Sequence, residues 1–457
     1  MNKFFTQKIS NGKRTNLNFN KYVFAVVATF TLLIVNPVFS QSGTRQVSPG
    51  NGVGGFDANG SALLTTTTAG SFPGGPADSK IFVTNLDHTA ENIYAGLMAR
   101  TFSNAPTAII NNAYIRITDP LGAVVFQGNV PNAGPGFIPT YSQAWNGPNI
   151  SGTNPAGYAH FNGAGAGTPT VNPTMNGDYR IEVYTSADAG ATYNNANSTY
   201  PLFDFTVANG TVPISGRLWC REWSFITTDL TQVPADYVVG NANGYPNVLA
   251  SSFVGDFFVY TNDQLVGRVN FGAGFRPLGF ELSMNREGSQ STGNFIVDRR
   301  SRNGVLPGPI YPARPSGYKI FLTAPDSAAF PNGTVGSPAI TSNIYGCPGA
   351  YYIPYYSDQA GDFAIVLDLN ATPGYQPASE DVILQAFDQP AGNHIMPWNG
   401  LNGLGTVVPP AFTAKVTVVV FQGRVNIPMV DAELNTNGFS FTSIFPALGN
   451  RKLYWDD

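Results

Sequence analysis

The chain has 457 residues, 43% of them hydrophobic and only 11% charged, with a formal net charge of -4; an ordinary globular protein is about 25% charged. So few clustered Lys and Arg exclude a nucleic-acid surface, because polyanion affinity comes from cation patches that release counterions. Gly (50) and Pro (35) are abundant without reaching the ~25–30% that marks low-complexity disorder, and 13% aromatic content supplies cores to bury.

In chain order, residues 1–40 read as a secretory signal peptide. Lys3, Lys8, Lys13, Arg14 and Lys21 form a basic leader without a carboxylate, Tyr22 to Val35 are mostly apolar, and Val38 and Ser40 are small residues before a cleavage point. Fourteen residues fall short of the ~20 a spanning helix needs, and Asn36-Pro37 follow at once. The expectation is export to the extracellular space or cell surface, with no transmembrane span. Cleavage leaves 19 basic against 28 acidic residues, a net charge of -9, so nucleic acid is not expected as a partner.

Residues 41–80 are rich in Gly, Ser and Thr, lack periodicity and read as a flexible arm. Short alternating or apolar bursts then predict strands: Lys80–Thr84, Ala113–Thr118, Ala123–Gln127 and Asp178–Tyr184 in a first β-sandwich, residues 81–212. A second, 213–336, contains Leu218–Ile226, Asp256–Tyr260, Leu265–Asn270, Gly279–Ser283 and Gly317–Leu322. A third, 337–457, contains Asp362–Asp368, Val382–Phe387, Ala414–Phe421 and Gly438–Thr442. Asn-Gly pairs at 146, 176, 209, 303, 332 and 437 supply the positive φ that tight hairpins require. No window past the leader carries a helical stripe, so the predicted class is all-β, antiparallel sandwiches in tandem. An echo of strand, Trp-Asn-Gly and strand, at Tyr114–Tyr184 and again at Val382–Val420, suggests repeated modules in which Trp145 and Trp398 cover open ends.

The run Trp398-Asn-Gly-Leu-Asn-Gly-Leu-Gly-Thr-Val-Val-Pro409, with Pro428–Glu433, Asn437-Gly438 and the closing Leu453–Asp457, resembles Ig-like modules of large Bacteroidota cell-surface proteins. Those proteins end in a gliding-motility-associated, type IX secretion C-terminal domain. The resemblance covers residues 362–457 best and implies Ig-like sandwiches in a surface-displayed, adhesin-like or structural role, with no catalytic residue carried over. No sorting domain follows Asp457, so the chain is expected to be the N-terminal fragment of a larger protein with further β modules beyond it. Asp326-Ser327-Ala328 resembles the short O-glycosylation pattern of that phylum, making Ser327 a candidate glycosylation site beside the alternative of a plain solvent loop.

Candidate chemistry is sparse. His88, His160 and His394 stand apart, and only His88 with Glu91 has ligand spacing, if helical. There is no Gly-x-Ser-x-Gly elbow and no phosphate-binding glycine loop before a helix. Asp431, Glu433, Asn435 and Asn437 place oxygens on alternate residues as a calcium loop would, but Thr436 and Thr442 occupy the glycine and closing-carboxylate places; an Asn-Gly hairpin explains the same letters. Cys220 and Cys347 are either one disulfide or two separate thiols. Glu281, Asp298, Asp362 and Asp381 are the carboxylates a glycosidase would need to bring together. Tyr351-Tyr352 and Tyr355-Tyr356 either stack on sugar rings or pack between domains. The expected function is a non-catalytic, adhesin-like or structural surface protein using no cofactor, calcium aside. The alternative is an extracellular carbohydrate-binding module, with a secreted hydrolase behind both.

Overall fold

The structure, a computed structural model, describes residues 43–47, 63–66, 80–101, 112–148, 171–192, 198–226, 255–272, 275, 279–286, 288, 317–370, 372–410, 412–430, 435 and 437–453. The leader lies outside them. No helix among them is long and apolar enough to cross a membrane. The described residues are almost wholly antiparallel β in their regular structure and divide into two compact units, one of residues 336–421 and one of residues 43–335 with 422–453.

The larger unit begins with a helical turn, α1 (Thr44–Val47), then β1 (Leu63–Thr66), β2 (Lys80–Asn85), β3 (Glu91–Thr101), β4 (Ala113–Thr118), β5 (Val124–Asn129) and a short helix, α2 (Tyr141–Asn146). It continues with β6 (Gly177–Thr185), β7 (Ser198–Asn209), β8 (Val212–Ile214), β9 (Leu218–Cys220), β10 (Glu222–Ile226), β11 (Asp256–Tyr260), β12 (Val266–Asn270), β13 (Gly279–Ser283) and β14 (Lys319–Phe321). The smaller unit holds β15 (Ala339–Ile340), β16 (Tyr345–Cys347), β17 (Ala350–Ser357), β18 (Gly361–Asp368), β19 (Val382–Gln389), β20 (Gly392–Trp398) and β21 (Lys415–Phe421). The chain then returns to the larger unit as β22 (Met429–Val430), β23 (Ser440–Phe445) and β24 (Gly449–Arg451).

Two sheets build the larger unit. One is seven-stranded, in the order β22-β13-β10-β1-β7-β3 with β8 also on β7; the other is ten-stranded, β24-β23-β12-β11-β14-β9-β2-β6-β4-β5. Because successive side chains of a strand point to opposite faces, alternate residues enter one shared core. Ile81 and Val83 of β2, Ile115 and Ile117 of β4, and Tyr179, Ile181 and Val183 of β6 pack in one cluster with Leu97 of β3, Phe203, Phe205 and Val207 of β7, and Phe280 and Leu282 of β13. Each such side chain contributes roughly 1.5–3 kcal/mol when fully buried.

This architecture corrects the three-part division. The expected break at 212/213 falls inside both sheets. β9 pairs with β2 through Phe82↔Trp219 and Val83↔Leu218, and with β14 through Ile320↔Cys220, so the two predicted sandwiches are one. Unpaired sheet edges leave backbone N–H and C=O groups unsatisfied, and joining edges removes two of them. The third predicted sandwich is cut short for the same reason: β22, β23 and β24 extend the larger unit's sheets.

The expected flexible arm is corrected in part. Leu63–Thr66 pair with β10 on one side and β7 on the other. Gly43 bridges Asp204, the Thr44 hydroxyl donates to the Phe203 carbonyl (3.1 Å) and accepts from its N–H (2.8 Å), and Thr44 and Val47 are buried. Composition alone reads this segment as a tether; the rest of it, residues 48–62 and 67–79, lies outside the described residues.

Buried charges in the larger unit are paired or neutralised. Arg217 donates to both Glu91 carboxylate oxygens (3.2 Å each), to Asp326 (2.6 Å) and to the Thr84 carbonyl (3.1 Å), so that three loop ends share one guanidinium. Asp204 is different. It is fully buried on β7, Thr206 donates to its Oδ1, and its Oδ2 has no hydrogen-bond partner among the described residues. Burial pushes its carboxyl up to about 8, against the opposing pull of Thr206 and the Arg45 guanidinium. The folded state therefore holds a proton that the unfolded chain releases above pH ~4, so this group lowers stability as pH rises from about 4 to about 8, and by no more above that. Asp204→Asn should gain stability relative to wild type as pH rises across this window, by up to about 1.4 kcal/mol per pH unit. Urea unfolding at pH 5, 6, 7 and 8 measures this gain, and a difference that stays constant with pH contradicts the assignment.

Candidate functional site

The smaller unit is a compact sandwich. β17 carries β20 on one edge and both β16 and β15 on the other, and this sheet packs on β19-β18-β21. Its core is Ile353 and Tyr355 of β17, Met396 and Trp398 of β20, and Phe363, Ile365 and Leu367 of β18, flanked by Leu384, Val416, Val418 and Val420.

Alternation along β17 separates the four tyrosines singled out in the sequence. Tyr355 is 1% exposed, its ring 5.3 Å from Phe363 and 5.2 Å from His394, and half-buried Tyr351 lies 5.3 Å from Trp398. Tyr352 and Tyr356 point the other way and are 40% and 41% exposed. The register places Tyr345 of β16 opposite Tyr352, with ring centroids 5.5 Å apart, and Tyr345 is 49% exposed. On the β20 side, Pro397, Ile395 and Asn393 lie opposite Tyr352, Pro354 and Tyr356, and all three are exposed. The result is a strip of three phenol rings with Pro and Ile between them and no charged residue at those register positions. Tyr352 and Tyr356, four residues apart, are roughly 13 Å apart along the strand.

The motif at 398–409 buttresses one end of this sandwich. Trp398 Nε1 donates to the Leu401 carbonyl (2.9 Å). Gly400 has φ +76 and a Cβ there would lie 2.7 Å from the Tyr351 ring, so glycine is required twice over. Asn402 Oδ1 accepts from the Leu404 and Thr406 N–H groups, closing the loop. The echo at Trp145 is not the same structure: Trp145 lies in α2, capped by Thr140 and Gly147, and β4 pairs directly with β6, whereas β19 and β21 flank β18.

The remaining candidates do not converge. His160, Asp298, Asp431 and Glu433 lie outside the described residues, as does the side chain of Glu281. His88 sits in a turn with its ring and N–H on Asn176 Oδ1, both at 2.8 Å, while Glu91 is committed to Arg217, so the helical pair fails. His394 bonds the Pro390 carbonyl at 2.7 Å. Asp362 accepts from the Asp388 N–H, and Asp381 accepts from Leu369 and Gln376 at the far end of the β18–β19 pair. Burial raises the Asp381 carboxyl, but these backbone bonds outweigh it and leave the pKa below the ordinary value. Asn435 bridges Phe275, and Asn437-Gly438 forms a turn with Gly438 at φ +66. Among the described residues no group of three or more His, Cys, Asp and Glu is placed to hold a metal. Cys220 and Cys347 form no disulfide: Cys220 is buried with Sγ on the Glu222 carbonyl, and Cys347 is exposed on β16. Ser327 is exposed in a turn whose backbone N–H groups bond Asp326.

A second aromatic cluster lies on the outer face of the ten-stranded sheet. Trp219 stacks on Phe82 (4.2 Å) beneath the Lys319 ammonium (4.3 Å), and Phe330 covers Phe321 at 4.8 Å. Trp219 is 2% exposed, so this cluster is packing rather than platform. Sequence reading missed Tyr345, Asn393, Ile395 and Pro397 because they join the strip only through strand pairing. The tight Gly346–Gly349 segment between two Tyr-bearing stretches is the signal that could have placed Tyr345. Comparison with models of known families, with curated protein sequences and with solved structures finds no match to the chain.

Truncating Tyr355 to Ala should cost about 3–5 kcal/mol of unfolding free energy, as for a buried aromatic. Tyr352→Ala and Tyr356→Ala should each stay within about 0.5–1 kcal/mol of wild type. Chemical denaturation of the three variants reads this directly, and equal losses at 355 and 356 contradict the assigned faces.

Proposed function

We propose that this chain is a secreted, cell-surface, adhesin-like protein that works by binding rather than catalysis, presenting the Tyr345–Tyr352–Tyr356 strip to an extracellular ligand. That strip is the observation that carries the reading. Tyrosine offers large, rigid contact area at small entropic cost because few torsions must be fixed, and three such rings on one paired sheet are held in place before a ligand arrives. Engagement of Glu91, Asp362 and Asp381 in loop and strand closure supports a structural use of carboxylates. The basic-apolar leader supports export. The Trp398–Pro409 resemblance supports Ig-like modules of the Bacteroidota, type IX-secreted, gliding-motility-associated kind. N-terminal sequencing of chain recovered from the producing cell's surface should begin near Gln41, and material retaining residues 1–40 contradicts export by cleavage.

Carbohydrate is the ligand class this strip favours, since a Tyr345/Tyr352 pair and a Tyr356 roughly 13 Å further along a strand suit successive rings of an extended glycan. On a glycan array the chain should bind a subset of extended glycans, with Tyr352→Ala or Tyr356→Ala weakening each hit about ten-fold, roughly 1.4 kcal/mol. Absence of binding above background removes the carbohydrate reading. Turnover of an ester, peptide or glycan substrate, abolished by changing one buried carboxylate, removes the non-catalytic one.

A further inference from the structure

The edge of β7 that faces away from β3 is closed in three pieces. Val212–Ile214 of β8 cover residues 207–209, Gly43 bridges Asp204, and Leu64–Thr66 of β1 cover residues 198–200. Two of the three pieces come from the arm before residue 67. β7 and β10 do not pair with each other; within the seven-stranded sheet, the four residues of β1 are the link between the β3-β7-β8 half and the β10-β13-β22 half. Without this segment, two strand edges would face each other over an apolar core, which is the geometry that recruits an added strand.

The fit of the segment is specific. A Cβ at Gly43 would collide with the Phe203 carbonyl oxygen. Thr44 is fully buried and bonds both the N–H and the C=O of Phe203. Arg45 is 8% exposed, lays its guanidinium 4.2 Å from the centre of the Trp145 ring and donates to the Trp145 carbonyl at 3.2 Å. The covalent route back to the body is long, because residues 67–79 separate β1 from β2, which belongs to the other sheet. Thirteen extended residues reach roughly 43–47 Å.

We propose that the groove between β7 and β10 also accepts Gly43–Val47 and Leu63–Thr66 of a second copy of this chain, so that the protein self-associates by exchanging its N-terminal segment. Every contact described above is kept in the exchange, which makes the exchanged and closed forms nearly equal in contact energy; chain concentration during folding then sets their ratio.

The test places cysteines at Thr65 and Thr199, which lie opposite each other in register, with the exposed Cys347 changed to Ser. The chain is unfolded, refolded over a hundred-fold range of concentration and oxidised. Non-reducing electrophoresis should show covalent dimers and larger species whose share rises with refolding concentration. Cross-links confined to single chains at all concentrations overturn the proposal. If the engineered pair does not close, light scattering on the unmodified chain and on Gly43→Val decides. Self-association of the unmodified chain, lost in Gly43→Val while circular dichroism keeps the β signal, supports exchange. A monomer throughout, or association unchanged by Gly43→Val, overturns it.

Discussion

Backbone pairing at two very short strands holds the larger unit together. β9 contributes three residues and β1 four, yet each is hydrogen-bonded on both sides, and each closes a gap between strand groups distant in sequence. A sandwich of modest size leaves open edges whose donors and acceptors must be satisfied by water or by another strand. Joining edges gives two extended sheets over one continuous core in place of two separate cores, and burial per residue rises with the size of the unit. One group of large buried aromatics ties the two sheets together on the β10–β13 side of these links. Phe225 of β10, Phe257 of β11, Phe280 of β13 and the nearby Phe271 and Phe275 form ring contacts of 4.4–6.3 Å across both sheets.

Fold class was legible because it depends on local alternation. In β11 the pattern of Asp256–Tyr260 alternates half-buried and buried, and in β21 Lys415–Phe421 alternates exposed and half-buried. Turn chemistry was legible where glycine's freedom was used: Gly210 and Gly438 adopt φ of +56 and +66 after their Asn partners. The same dipeptide at 146–147 ends a helix instead, because Thr140 supplies an N-cap that a hairpin reading overlooks. Strand partnership was not legible. Nothing in Leu-Trp-Cys says that it will lie between residues 80–85 and 319–321, since partner choice is settled by long-range packing rather than by propensity. The arm failed for a related reason: Gly and Thr at 43 and 44 look like linker letters, yet Gly43 sits where there is no room for a Cβ and the Thr44 hydroxyl bonds the Phe203 backbone.

The site was half legible. Two tyrosine pairs drew notice, but a pair on a strand always divides between two faces, so each could supply only one ring to a platform. Strand pairing then brought Tyr345 to Tyr352, a contact no spacing rule anticipates. The candidate carboxylates were legible as residues and not as roles. Several of the described charges are drawn into closure: Asp119 accepts from the Leu121 and Ala123 N–H groups, Asp381 from Leu369 and Gln376, and Arg217 gathers two acids. Such carboxylates fix loops, and Asp381, held below the ordinary carboxylate value by backbone donors, makes a poor proton donor near neutral pH.

Contiguity is what separates the tyrosine strip from ordinary surface hydrophobics. Leu121, Val212 and Leu404 are more exposed than any of the three tyrosines, yet they sit not on a paired sheet face but on turns or at a strand end, where an exposed apolar residue calls for no explanation. Three rings, two prolines and an isoleucine side by side on one sheet are a patch, and patches of that kind mark contact surfaces. The choice of Tyr over Phe fits a surface that must stay hydrated until it is used: the phenol oxygen keeps its water while the ring face remains open to stacking. Phe363, on the opposing sheet, and Tyr355, on the inward face of the same strand, are buried. The two faces of β17 therefore divide the work, one building the core that fixes the ring positions and the other offering the rings.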